Sequence, residues 1–127
     1  METIIESLQG RSVLIVEDHV ELGSILRRMI ATRGMRACIV NSGSKALQKL
    51  KREIYDIILL DLYLRDMDGL EVVTLVRQNE KTKHIPIVAI SAAFGKRKEC
   101  IRHGCDDFLL KPFDTTELMS CISALVH

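Results

Sequence analysis

Three short, uninterrupted apolar runs constrain this chain more than any other feature: Val13-Leu14-Ile15-Val16, Ile57-Ile58-Leu59-Leu60 and Ile87-Val88-Ala89-Ile90. A strand with one wet face alternates apolar and polar residues, so a run without alternation is buried on both faces. Such runs are too short for buried helices and belong to a covered, parallel sheet. Two weaker runs, Ala37-Cys38-Ile39-Val40 and Phe108-Leu109-Leu110, complete the set.

Helical patterns separate the runs. Leu22, Ile25, Leu26, Met29 and Ile30 recur at i, i+3, i+4, i+7 and i+8, and Gly34 stands where a left-handed cap is wanted. Ala46, Leu47, Leu50 and Ile54 repeat that face in a second helix opened by Ser42 or Gly43. A third helix runs from about Leu70 through Val72, Val73 and Val76, followed by the polar loop QNEKTKH and Pro86. A short fourth covers Arg97 to His103, with Gly104 behind it. Asp114 and Glu117 form a capping box ahead of the stripe Leu118, Cys121, Ile122 and Leu125. Strict alternation of strand and helix predicts an α/β fold: a single doubly wound five-stranded parallel sheet with helices on both faces. The strand count favours the flavodoxin-like order 2-1-3-4-5, although pattern alone does not fix it.

A chain of 127 residues suits one domain. We expect it over residues 11–127, with residues 1–10 a loose tail or a short extra helix. The net charge of +1 offers no field for nucleic acid or an anionic membrane. Cys38, Cys100, Cys105 and Cys121 make no CxxC pair or Cys/His ladder and read as reduced, mostly buried small hydrophobes. METIIESLQG lacks the basic and apolar regions of a signal peptide, and no apolar stretch reaches membrane-spanning length. The expected compartment is the cytoplasm.

The polar residues at the strand ends point to chemistry. Glu17 and Asp18 follow the first strand, Asp61 the third, Ser91 the fourth and Lys111 the fifth. Sites in open doubly wound sheets form outside the carboxyl ends, at the switch point between strands 1 and 3. Taken singly, each has a plain reading: Asp18 or Asp61 as a cap, Ser91 as an ordinary strand end, Lys111 as a solvated charge. Taken together they do not. Two carboxylates about 4 Å apart repel by about 4 kcal/mol at an effective dielectric of 20, so three need a counter-charge. Mg²⁺ supplies one and keeps positions for water and phosphate, while Lys111 adds a cation suited to a phosphate oxygen. Such a site favours phosphoryl transfer onto a carboxylate, with Asp61 in LLDLYLRDMDG as nucleophile.

These residues resemble the receiver domain of two-component response regulators over about residues 11 to 126. The pair in LIVEDH matches the family's acidic metal pair, Glu17 and Asp18. LLDLYLRDMDG matches the phosphoacceptor segment at Asp61, AISAA matches the Ser/Thr strand end at Ser91, and GCDDFLLKPF matches the last strand. The resemblance implies that Asp61 is phosphorylated by a sensor histidine kinase or a histidine phosphotransfer protein. It implies Mg²⁺ held by Glu17, Asp18, Asp61 and the backbone carbonyl of Tyr63. It makes Lys111 the active-site lysine, and Ser91 and Phe108 the switch that reports the phosphate to a downstream protein partner. No direct nucleic-acid contact and no membrane span are expected, and the assembly is a monomer or a phosphorylation-dependent dimer.

Three departures stand out. Arg65 occupies a position where the family usually has proline, the first acid is Glu, and the segment from Ser91 to Gly104 is short, which weighs against dimerisation through that face. Tyr63 and Ala93 occupy the positions that flank the hydrolytic water in the family, and neither activates one well, so a long-lived phosphorylated form is expected. The run Lys96-Arg97-Lys98 reads as a solvated face or as a contact for an acidic partner. No output domain follows His127, which suggests a stand-alone regulator or a piece of a larger regulator or hybrid kinase. The rival readings are a non-phosphorylated receiver-like binding module, which would usually lack one of these residues, and an aspartyl-nucleophile phosphatase, which would want an acid where Tyr63 stands. A flavin or dinucleotide site would want glycines that EDHVELG does not supply.

Overall fold

The computed structural model describes residues 8–126. Five strands, β1 (Ser12–Val16), β2 (Arg36–Val40), β3 (Ile57–Asp61), β4 (Ile87–Ser91) and β5 (Asp107–Leu110), alternate with five helices. These are α1 (Val20–Ala31), α2 (Gly43–Arg52), α3 (Gly69–Gln78), α4 (Arg97–His103) and α5 (Thr115–Leu125). Every pairing is parallel, as the strand pattern predicted, and the sheet order is β2-β1-β3-β4-β5, the order the strand count favoured.

Why the strand runs do not alternate is visible in the core. Leu14, Val16, Ile58, Leu60, Ile87 and Ala89 face one layer, with Ala46 and Leu50 of α2, Val72, Val73 and Val76 of α3 and Cys100 of α4. Val13, Ile15, Ile57, Leu59, Val88 and Ile90 face the other, with Leu26 and Ile30 of α1 and Leu118 and Ile122 of α5. Successive side chains point to opposite faces, and both faces are dry.

Side chains fix the helix starts. Ser42, Asp68 and Asp114 accept the N–H of Lys45, Leu70 and Glu117, and His19 caps α1 through Nδ1 to the N–H of Leu22. Gly104 closes α4 at φ 119°, and its Schellman bonds bring Cys105 back to the carbonyl of Cys100. Two residues assigned to helix faces are not there. Ile54 lies beyond the end of α2 and is 89% exposed, while Ile25 is 45% exposed on the outer side of α1. Of the expected leading tail or helix, Met1 to Glu6 and Ser7 lie outside the described residues. Leu8 is buried in the α1/α5 layer, and the N–H of Gly10 bonds the carbonyl of Gly34.

Candidate functional site

The register places the polar strand ends at one rim of the sheet. Val16 pairs with Leu60 and with Val40, and Asp61 pairs with Ile90, so the next residues, Glu17 and Ser91, border Asp61 on either side. Glu17, Asp61 and Ser91 are buried, at 3%, 7% and 1% exposure. Lys111 arrives from β5 through a backbone bond to the carbonyl of Ser91, ahead of a cis Lys111–Pro112 peptide.

Lys111 is the hub. Its Nζ lies 2.8 Å from Asp61 Oδ2 and 3.3 Å from Glu17 Oε1. Burial works against its charge, but the bonds and charges of Asp61 and Glu17 outweigh it and hold its pKa above the ordinary lysine value. The pKa of Glu17 also rises, which for a carboxyl disfavours the charged form. Burial first, and then the crowding carboxylate of Asp61, raise its pKa above the usual range. The other oxygen of Glu17 accepts the N–H of His19 at 3.2 Å. The remaining oxygen of Asp61 accepts the N–H of Tyr63 at 2.8 Å, closing the turn that follows β3. Ser91 Oγ accepts the N–H of Ala93 at 3.0 Å.

Asp18 does not join this group. Its Oδ2 accepts the backbone N–H of Arg65 at 3.0 Å, with Arg65 Nε at 3.9 Å. Among the described residues, therefore, no three acidic, His or Cys side chains surround a common point that could hold a metal. The donor chemistry still fits a hard divalent cation: carboxylate oxygens at one rim, with a buried Glu17 whose crowding by Asp61 a cation would relieve. Asp18 would have to leave Arg65 to take part.

The other singled-out residues fall as follows. Tyr63 is 57% exposed and lines, with Leu64, Asp68, Lys96 and Glu99, a cleft of about 310 Å³ between the β3–α3 loop and α4. Phe108 is half-buried against the α2/α3/α4 layer, and its carbonyl accepts from Arg97 at 3.2 Å. The basic run is not a set of three free cations. Arg97 bonds Asp107 at 2.8 Å and Lys96 bonds Glu99 at 3.2 Å, leaving Lys98 without an ion pair among the described residues. Sequence reasoning missed Asp66, whose carboxylate accepts the N–H groups of Gly43 and Ser44 at 2.9 and 3.0 Å. It also missed the bond from Cys121 Sγ to Asp107 Oδ2 at 3.1 Å. Neither leaves a signal at helical or strand spacing.

Comparisons with known proteins agree with this geometry. Residues 13–123 match the model of the response regulator receiver domain family. The response regulator ArlR of Staphylococcus saprophyticus is 36% identical over 91% of this chain, and a hybrid signal transduction histidine kinase G of Dictyostelium discoideum is 36% identical over 94%. This chain spans 52% of the first protein's length and 4% of the second's. Among solved structures, the receiver domain of sensor histidine kinase PA1611 from Pseudomonas aeruginosa PAO1 superposes with a TM-score of 0.85 at 31% identity, covering 91% of this chain and 97% of that one. That structure holds a magnesium ion coordinated in its active site cleft. The chemotaxis regulator CheY4 of Vibrio cholerae shares the fold at a TM-score of 0.87 and 23% identity, over 93% of this chain and 100% of that one. The chain belongs to the response regulator receiver domain family. It is a signalling domain of two-component systems, and no helix among its described residues is long and apolar enough to cross a membrane.

Proposed function

We propose that residues 11–127 form a receiver that takes a phosphoryl group onto Asp61 from the phosphohistidine of a sensor kinase or phosphotransfer protein. The observation that carries this reading is Lys111 Nζ bridging Asp61 and Glu17 at the rim of the sheet. A carboxylate oxygen of Asp61 attacks phosphorus in line with the P–N bond. A P–O bond forms as the P–N bond breaks, and the departing imidazole nitrogen takes a proton from water. Glu17, Asp18, Asp61 and the carbonyl of Tyr63 would hold Mg²⁺, which when bound neutralises charge on the phosphoryl oxygens. Lys111 moves its charge from the Asp61 carboxylate to a phosphoryl oxygen. The Ser91 hydroxyl accepts from Ala93 and keeps its own proton for the phosphoryl group. Phe108, opposite Ala89 in the β4–β5 pairing and two residues before Leu110, the partner of Ser91, carries that change toward α4 and a downstream protein partner in the cytoplasm.

Intact mass after incubation with acetyl phosphate and Mg²⁺ tests the assignment. The parent should gain one phosphoryl group and Asp61→Asn should not. A gain that persists in Asp61→Asn at the parent level sinks it.

A further inference from the structure

Among the acids of the proposed metal site, Asp18 alone makes no bond to Lys111; its carboxylate bonds Arg65 instead. The segment that carries Arg65 is pinned on both sides. Before it, the N–H of Tyr63 is bonded to Asp61 Oδ1 at 2.8 Å. After it, the Asp66 carboxylate straddles the first turn of α2, taking the N–H of Gly43 at 2.9 Å and of Ser44 at 3.0 Å. Met67 then lies over Gly43, where an added Cβ would fall 2.5 Å from Met67 Cγ. A segment fixed at Tyr63 and at Asp66 leaves Arg65 little freedom, and its N–H stays aimed at Asp18.

We propose that Arg65 is a positioning residue that holds Asp18 off the metal in the metal-free protein, so that Mg²⁺ binds only by displacing it. This rests on the reading of Glu17, Asp18 and Asp61 as metal ligands. The contact has two parts, and they separate chemically. The backbone N–H at 3.0 Å makes a charge-assisted bond with good geometry. The guanidinium, at 3.9 Å on a side chain that is 90% exposed, makes a weak, screened ion pair. Most of the competition therefore comes from the N–H. Giving up such a bond costs the metal about tenfold in affinity.

The test is isothermal titration of the whole chain with MgCl₂. Proline at position 65 removes both the N–H and the cation, whereas alanine removes only the cation. Arg65→Pro should bind Mg²⁺ about tenfold tighter than the parent, and Arg65→Ala about twofold tighter. A second measurement needs no variant. The Arg65 amide resonance in ¹⁵N–¹H spectra should shift upfield as Mg²⁺ is added, with the same Kd as the calorimetry, because the carboxylate leaves it.

Equal gains in the two variants would assign the effect to charge alone and overturn the backbone role. So would an Arg65 amide that is unmoved at saturating Mg²⁺, or equal affinity in the parent and Arg65→Pro. If Arg65→Pro does not fold, the amide titration decides alone. Asp18→Ala separates the two levels. Lost binding there, with an Arg65 amide that does not respond to Mg²⁺ in the parent, overturns this inference and leaves the metal reading standing. Unchanged binding in Asp18→Ala overturns both.

Discussion

Asp61 divides its carboxylate, with one oxygen closing the turn through the N–H of Tyr63 and the other bonded to Lys111. The first bond sets the side-chain direction, and the second marks the oxygen that faces the proposed chemistry. Neighbouring side chains then bear on how long a phosphoryl group would last. Ala93 offers an incoming water no hydrogen-bond partner, and the Tyr63 ring lines the cleft toward α4 instead of presenting an amide or acid. Purified phosphorylated protein should therefore lose its phosphate more slowly than a Tyr63→Asn, Ala93→Glu double variant, followed by intact mass over time. Equal or faster loss in the parent would contradict this. Asp107 invites a different test. Burial works to raise its pKa, but the Cys121 thiol, the Phe108 N–H and Arg97 outweigh burial and hold it below the ordinary value of 3.8. A carboxylate with a lowered folded-state pKa adds stability that is complete above its unfolded value and fades as pH falls through the folded one. Asp107→Asn should thus be less stable than the parent at pH 7, and that gap should shrink in denaturant titrations at pH 3.

At the level of elements, the strands were legible in the sequence because burial on both faces leaves an unbroken apolar run, as in Ile57 to Leu60. Helix starts were legible where the cap is local, at Ser42 and Asp114. Contacts that join distant elements were not. Asp66 bonds the start of α2 across 23 positions, and Arg97 bonds Asp107 across 10, spacings to which no helical or strand period corresponds. Ile54 misled for a related reason: Glu53 ends α2 in an extended conformation, so the periodicity runs on past the helix it describes. The same gap hid the use of the basic run, in which Arg97 ties α4 to β5 by its bonds to Asp107 and to the carbonyl of Phe108. Gly69 shows an element junction with no slack. A Cβ there would lie 2.6 Å from Leu62 Cα and 2.8 Å from the carbonyl oxygen of Asp61, both backbone atoms. Gly69→Ala should therefore destabilise the fold by about 1–3 kcal/mol in chemical denaturation, as overpacking does. It should also disturb phosphorylation, because the atoms it displaces belong to the Asp61 turn.

The whole molecule gathers charges that repel. Folding brings Glu17 and Asp61, 44 positions apart in the chain, to one buried rim, and Lys111 answers them with a single cation. The raised pKa of Glu17, from burial and then from Asp61, shows the imbalance. Its sign is the reverse of that at Asp107. A carboxylate whose folded-state pKa lies above the unfolded 4.5 favours the native state when protonated, so stability falls as pH rises from 4.5 through the folded value. At neutral pH that cost remains, and a ligand that binds only the native state can offset it. If the rim holds Mg²⁺ as proposed, the ion at a hundredfold excess over its Kd should add about 2.7 kcal/mol. For a domain of this size that raises Tm by about 8 °C in thermal unfolding, compared with the same protein in a chelator. Asp61→Asn should start with a higher Tm in the chelator, since the crowding of Glu17 is gone, and should gain much less from Mg²⁺. The two observations belong together: a variant that is both more stable without metal and less responsive to it locates the cost at Asp61. A parent whose Tm is the same in Mg²⁺ and in the chelator would show that Mg²⁺ does not relieve the rim, and would leave Lys111 as its counter-charge among the described residues.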